Sequence, residues 1–148
     1  MMRRLISRGV AGFVVIAAVA LGMSGCSSGK KLAAAEQAVT EFHTQLEQEQ
    51  FDAIYDGADS AFRDAGTRDN MIRFLSKVHR GLGKIGNAER KTYFVNFNTS
   101  GTFVSLTYET SFQADPKVHE EFTYRVGDTA KLIKYHVNSD VLMKQMTE

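Results

Sequence analysis

The spacing of apolar residues changes character near the middle of the chain. Leu32, Ala35, Val39, Phe42 and Leu46 recur at helical intervals, with Glu36, Glu41, Gln45 and Glu47 on the other side. This pattern predicts an amphipathic helix from Lys31 to about Gln50. Phe51, Ile54, Tyr55, Ala58, Ala61 and Phe62 repeat the period in a shorter helix or pair of turns, interrupted at Asp56-Gly57. A third helix carries Met71, Phe74, Leu75, Val78 and Leu82. Thr67 suits its N-cap, Asp69 its positive end, and Lys77, His79 and Arg80 its negative end before Gly81 and Gly83.

After Gly86-Asn87 the period drops to two, and β-branched and aromatic residues take over. Tyr93, Val95 and Phe97 define one strand, and Thr99-Ser100-Gly101 turns into a second with Val104, Leu106, Tyr108 and Phe112 on its apolar face. Ala114-Asp115-Pro116 turns again into Val118, Glu120, Phe122, Tyr124 and Val126, where Glu120 fits only if it lies at the sheet's end. Gly127-Asp128 leads to a fourth strand with Ile133, Tyr135 and Val137, and Val141, Leu142 and Met143 close the chain. Helices first and a meander last predict an α+β fold, with N-terminal helices packed on one face of a curved four-stranded antiparallel sheet.

Residues 1–25 stand apart from this pattern. Arg3, Arg4 and Arg8 precede a 14-residue apolar run from Val10 to Met23, and the segment ends in Met23-Ser24-Gly25-Cys26. The run is shorter than the roughly 20 residues of a membrane-spanning helix and has the plan of a secretory signal. Its end resembles the bacterial lipobox. That resemblance implies that the Cys26 sulfur receives a diacylglyceryl group, that the chain is cut before it, and that the freed amine is acylated, palmitate being a typical chain. Cys26 is the only cysteine, so it has no internal disulfide partner. Two or three acyl chains, at about 0.8 kcal/mol per buried methylene, hold a protein on a membrane durably. Ser27 follows the cysteine where an Asp would retain the protein at the inner membrane. By resemblance to Gram-negative lipoproteins this implies processing and sorting to the outer membrane, facing the periplasm. Residues 26–31 are then the lipidated cysteine and a short tether, and residues 32–148 a single domain.

Removing 25 of the 148 residues leaves 123, one ordinary domain able to fold without staples. Three of the 18 basic residues and none of the 17 acidic ones precede the cut, so 15 basic against 17 acidic residues give the mature chain a formal charge of −2. That balance, together with export, disfavours nucleic acid as a partner. Lys30-Lys31 suits lipid headgroups beside the anchor.

Phe62-Arg63, Phe74-Leu75 with Gly81-Leu82-Gly83, Gly101 before Val104 to Tyr108, Glu121-Phe122-Thr123 and Lys131 to Tyr135 give the domain its outline. In this the chain resembles the nuclear-transport-factor-2-like and cystatin-like superfamily, in particular small bacterial lipoproteins of that cone-shaped fold. It departs from the pattern at Ala130, where a tryptophan is common in the family. The resemblance implies a sheet curled around a helix, frequent dimerisation through the open sheet face, and, in its isomerases and dehydratases, an acid, histidine or tyrosine inside the cone.

The polar residues give that chemistry little to use. His43, His79, His119 and His136 lack the i, i+4 helical spacing of a zinc motif, so no metal or other cofactor is expected. His79 suits a helix C-terminus and His119 an exposed strand position. His136 alternates with Ile133, Tyr135 and Val137, which makes it a candidate base if its face lines the cone, against a solvated histidine otherwise. Tyr55 and Asp59, one helical turn apart, could pair a hydroxyl with a carboxylate for enolate stabilisation. Asp59 before Ser60 is equally placed to cap a helix. Tyr108 and Tyr124 read as core residues with wet hydroxyl ends. The sequence thus points to a lipid-anchored, non-catalytic module that binds an envelope protein partner or a small ligand. The alternative is an envelope enzyme using Tyr55, Asp59 and His136. Ten phenylalanines and five tyrosines suggest a cone filled by its own side chains.

Overall fold

A computed structural model describes residues 27–147, and the signal segment and Cys26 lie outside the described residues. The predicted switch from helices to strands is present. Helix α1 (Ser27–Glu47) is followed by α2 (Phe51–Gly57), α3 (Ser60–Asp64) and α4 (Arg68–Leu82). Strands β1 (Ile85–Asn98), β2 (Gly101–Phe112), β3 (Val118–Val126) and β4 (Ala130–Asn138) then form an antiparallel sheet in the order β1-β2-β3-β4, and α5 (Asp140–Thr147) ends the described chain. Among the described residues, no helix is long and apolar enough to cross a membrane.

Local chemistry sets the element ends. Helix α1 already includes Ser27 to Lys31, so the described residues expected as a short tether are helical; Ala33-Ala34-Ala35 carries high helix propensity, and no proline stands in the way. The break at Asp56-Gly57 splits the second helical pattern in two. Asp59 caps α3 by accepting from the Ala61 N–H at 3.0 Å. Thr67 caps α4 in the expected way, accepting from the Asn70 N–H at 3.3 Å. At the other end Gly83 takes φ +75°, a left-handed conformation open to glycine at little steric cost. Helix α5 was not expected. It starts where the Ser139 hydroxyl accepts from the Leu142 N–H, and Leu142 is its buried anchor.

The core lies between α1 and the sheet. Ala35, Val39, Phe42 and Leu46 meet Val104, Leu106, Tyr108, Phe122, Tyr124 and Leu132. Phe122 is at its centre, with ring centroids of Phe42 at 5.2 Å, Tyr135 at 5.1 Å, Tyr108 at 6.0 Å and Tyr124 at 6.2 Å. The interior is therefore filled by the protein's own aromatic side chains.

Two expectations about faces need correction. Tyr93, Val95 and Phe97 do share the sheet face of Leu106 and Val104, but Tyr93 and Phe97 are more than half exposed because β1 is an edge strand that the helices do not cover there. Glu120 is not a solvated residue at the sheet's end; it is fully buried on the apolar face.

Candidate functional site

The Glu120 carboxylate is the most demanding group in the core. Its side chain has no exposed surface, yet three donors from three elements converge on its two oxygens. Thr110 of β2 donates to Oε2 at 2.6 Å, His43 of α1 places Nε2 at 2.8 Å from the same oxygen, and Tyr135 of β4 donates to Oε1 at 2.6 Å. An ionised carboxylate is acceptor-only and can receive all three bonds. The buried polar atoms are thereby satisfied, which a group this deep requires.

The sequence held a signal for this cluster that alternation alone did not interpret. Thr110 stands in the apolar register of β2, Glu120 in that of β3, and His43 beside Phe42 on the buried stripe of α1. A polar residue misplaced in three separate apolar patterns implies that the three meet. The periodicity of each element considered alone does not reveal this.

The residues singled out from the sequence are placed elsewhere. The Tyr55 hydroxyl donates to the Arg63 carbonyl at 3.4 Å, and its ring lies under the Arg68 guanidinium. Asp59 keeps its capping role and accepts a second bond from Arg125 Nε at 2.9 Å. The Ala61 N–H bond and, secondarily, Arg125 hold its carboxyl below the usual range, against the opposing effect of burial. His136 is exposed, opposite Glu121 on β3. No hydrogen bond joins these three residues among the described ones, so they do not form one constellation. His119 is exposed and His79 sits in the last turn of α4, as expected of them. Among the described residues, no group of three His, Cys, Asp or Glu side chains is placed to hold a metal ion.

A cleft of about 230 Å³ opens where α1 and α2 meet the β3–β4 end of the sheet. Ala38, Ala53 and Gly57 keep it open by their small size, Glu41, Gln45 and Lys131 supply polar groups, and Tyr124 forms part of its wall. The Tyr124 hydroxyl corrects the expectation of a wet end. It is buried and has no hydrogen-bond partner among the described residues. Burial, reinforced by the negative charge of Glu120, pushes this phenol well above the ordinary tyrosine range. It is a neutral donor with nothing to donate to, on a residue that lines the cleft, and an unmade buried bond of this kind costs about 1–3 kcal/mol.

No protein-family model matches the chain, and no curated protein matches it.

Proposed function

We propose that this chain is a lipid-anchored lipoprotein of the bacterial envelope whose domain is a non-catalytic binding module. The observation that carries the binding reading is the unpartnered, buried hydroxyl of Tyr124, a residue that lines the cleft. A ligand that enters with an acceptor atom for Tyr124 and an apolar body for Ala38 and Leu132 would recover that missing bond. Glu41, Gln45 and Lys131 at the cleft would orient its polar end, whether it is a small molecule or a side chain of an envelope protein. The run ending at Cys26 supports the anchor, with the outer membrane as its destination and the lipoprotein-processing machinery as its first partners. The helix-then-meander order is consistent with the nuclear-transport-factor-2-like and cystatin-like superfamily.

The enzyme reading finds less support. Glu120, the buried carboxylate, has both oxygens engaged and no exposed surface, and so offers a substrate nothing to meet. Tyr55, Asp59 and His136 are each occupied with a structural bond or exposed apart from the others.

The test is to express the full chain in a bacterium that processes lipoproteins, then analyse the membrane-extracted protein by native mass spectrometry. The reading expects acylation on Cys26, a bound species of fixed mass, and loss of that species in Tyr124→Phe with the fold intact. An unmodified Cys26 removes the anchor. A bound species retained by Tyr124→Phe removes the cleft as its site.

A further inference from the structure

The largest exposed aromatic side chains gather at one end of one strand. Tyr93, Phe94 and Phe97 of β1 are 54%, 66% and 55% exposed, and they lead into the two-residue turn at Thr99-Ser100. Their faces follow from the register. Tyr93 pairs with Leu106 and Phe97 with Thr102, whereas Phe94 pairs with Ser105 on the opposite face of the hairpin. A protein packing flat against the sheet would cover one face and leave the other wet. A medium that the hairpin tip enters would cover both.

The same end of the molecule receives the start of α1. The Glu47 carboxylate accepts from the Ile85 N–H, and Glu36 pairs with Arg90, so α1 runs in the opposite sense to β1 as it crosses the face of the sheet towards the β3–β4 turn. From Glu36 back to Ser27 the helix climbs about 13 Å at 1.5 Å per residue. Four β1 residues beyond Arg90 cover about the same distance at 3.3 Å each, which brings Ser27 level with Phe94. Lys31 Nζ confirms the placement by donating to the Gly127 carbonyl, in the β3–β4 turn, at 2.9 Å. Cys26 immediately precedes Ser27 in the sequence.

The tip is also held in place. Arg125 Nη1 donates to the Ser100 carbonyl at 3.0 Å while its Nε holds Asp59, so the hairpin turn is tied to the helical layer. Lys30, Lys31 and Lys131 lie at this end, with Asp128 as the acid of the β3–β4 turn, and Arg90 stacks over the Tyr93 ring at 4.8 Å. Aromatic rings flanked by lysine and arginine suit the boundary between headgroups and acyl chains. Lys91, held by Glu89 and Glu109 on the edge strand, disfavours pairing of that edge with a second copy.

We infer that the β1–β2 hairpin tip, through Tyr93, Phe94 and Phe97, enters the surface of the phospholipid bilayer that holds the anchor, so that the domain has a fixed orientation on the membrane. The inference rests on the reading of Cys26 as a lipidated residue. It predicts that the cleft, whose lining includes Thr129, Ala130 and Lys131 at this same end, opens at a fixed position close to the headgroups.

The chain contains no tryptophan, so Phe97→Trp, Phe94→Trp and Met146→Trp each introduce a unique tryptophan that can be excited apart from the tyrosines. Met146 is exposed on α5, which packs beside the end of α4 near the start of β1, away from the tip. The full-length, processed protein would be reconstituted in phosphatidylethanolamine and phosphatidylglycerol vesicles with and without brominated acyl chains. Phe97→Trp and Phe94→Trp are expected to emit at shorter wavelength and to be quenched several-fold more strongly by the brominated chains than Met146→Trp. No quenching at the tip, in protein that still sediments with the vesicles, overturns the inference and leaves the anchor standing. Quenching of Phe97→Trp without Phe94→Trp also overturns it, because only one face then meets lipid. Blue-shifted tip emission indifferent to bromination, accompanied by crosslinked dimers, replaces the bilayer with a second copy. Failure to sediment, with Cys26 unmodified by mass, rejects the anchor reading itself.

Discussion

The Tyr135 hydroxyl donates to Glu120 Oε1 at 2.6 Å, and the Glu120 side chain is wholly removed from solvent. The contact joins β4 to β3 inside the core, beside the central Phe122 ring. Hydrogen bonds to charged groups contribute about 1.5–3 kcal/mol. Tyr135→Phe is therefore expected to lower unfolding free energy by about 2 kcal/mol. Glu120→Ala strands His43, Thr110 and Tyr135 together and should cost about 3–5 kcal/mol. Urea unfolding with an unchanged slope is the measurement. A neutral Tyr135→Phe would show that Glu120 does not depend on this donor.

The same contact sets an alkaline limit. Burial first, then the charge and hydrogen bond of Glu120, raise the Tyr135 phenol well above its ordinary range, and burial does the same for Tyr124. An unfolded tyrosine ionises near pH 10, so above that point the unfolded chain binds fewer protons than the folded one. Stability is then complete below about pH 10 and falls as pH rises towards the folded values, by up to about 1.4 kcal/mol per pH unit for each residue. Tyrosinate absorbance should show Tyr124 and Tyr135 ionising together with loss of structure. Tyr135→Phe should flatten the slope. Reversible ionisation of all five tyrosines in folded protein would contradict this.

How much of this was legible follows from what each pattern encodes. The change from helical to strand period after Gly86 is local, and Thr67 and Asp59 announce helix starts through their own hydroxyl and carboxylate. The fold class and several caps could be read for that reason. The environment of Glu120 could not, since its donors lie 77, 10 and 15 residues away and alternation treats each strand alone. The exposure of Tyr93 and Phe97 depends on where α1 crosses away from an edge strand towards the β3–β4 turn, which is a tertiary fact. Tyr55 and Asp59 are a helical turn apart in sequence, but the Gly57 break turns the Asp59 carboxylate to Ala61 and Arg125.

Asp59 governs the acid side. Its folded carboxyl titrates below the ordinary value of about 3.9, so its contribution is present in full above that value and is lost as pH falls through the depressed folded value. Asp59→Asn keeps a competent cap and loses the ion pair to Arg125, whose side chain is 40% exposed, so the cost at neutral pH should stay under about 1 kcal/mol. Asp59→Ala loses the cap as well, at about 1–2 kcal/mol. Thermal midpoints followed from pH 6 to pH 2 should fall less steeply for Asp59→Asn. Parallel curves for the two proteins would mean that Asp59 is not held in its ionised form.

Helix α5 depends on a close approach at Gly81. A Cβ there would stand 2.7 Å from Leu142 Cδ2 and 2.5 Å from Gln145 Oε1. Gln145 is exposed and can swing away, whereas Leu142 is 3% exposed and packed. Gly81→Ala should therefore loosen α5 at a cost of about 1–3 kcal/mol, even though alanine favours the α4 helix itself. Hydrogen exchange should rise in residues 140–147 and remain unchanged in the sheet. Unaltered protection of α5 would show that Leu142 repacks freely.

The unpartnered Tyr124 hydroxyl predicts a trade between stability and binding. This group is buried with no hydrogen-bond partner among the described residues, so Tyr124→Phe removes a penalty while keeping the ring stacked on Phe122. The variant is expected to be as stable as the parent or more so, by up to about 1–3 kcal/mol. A ligand whose acceptor meets the hydroxyl should bind the variant about tenfold or more weakly, since one lost bond of about 1.4 kcal/mol corresponds to a factor of ten. The two readouts move in opposite directions, which a purely structural tyrosine would not produce. Calorimetric unfolding of both proteins with and without the species captured at the cleft decides it. A destabilised Tyr124→Phe with undiminished binding would assign the hydroxyl to the core.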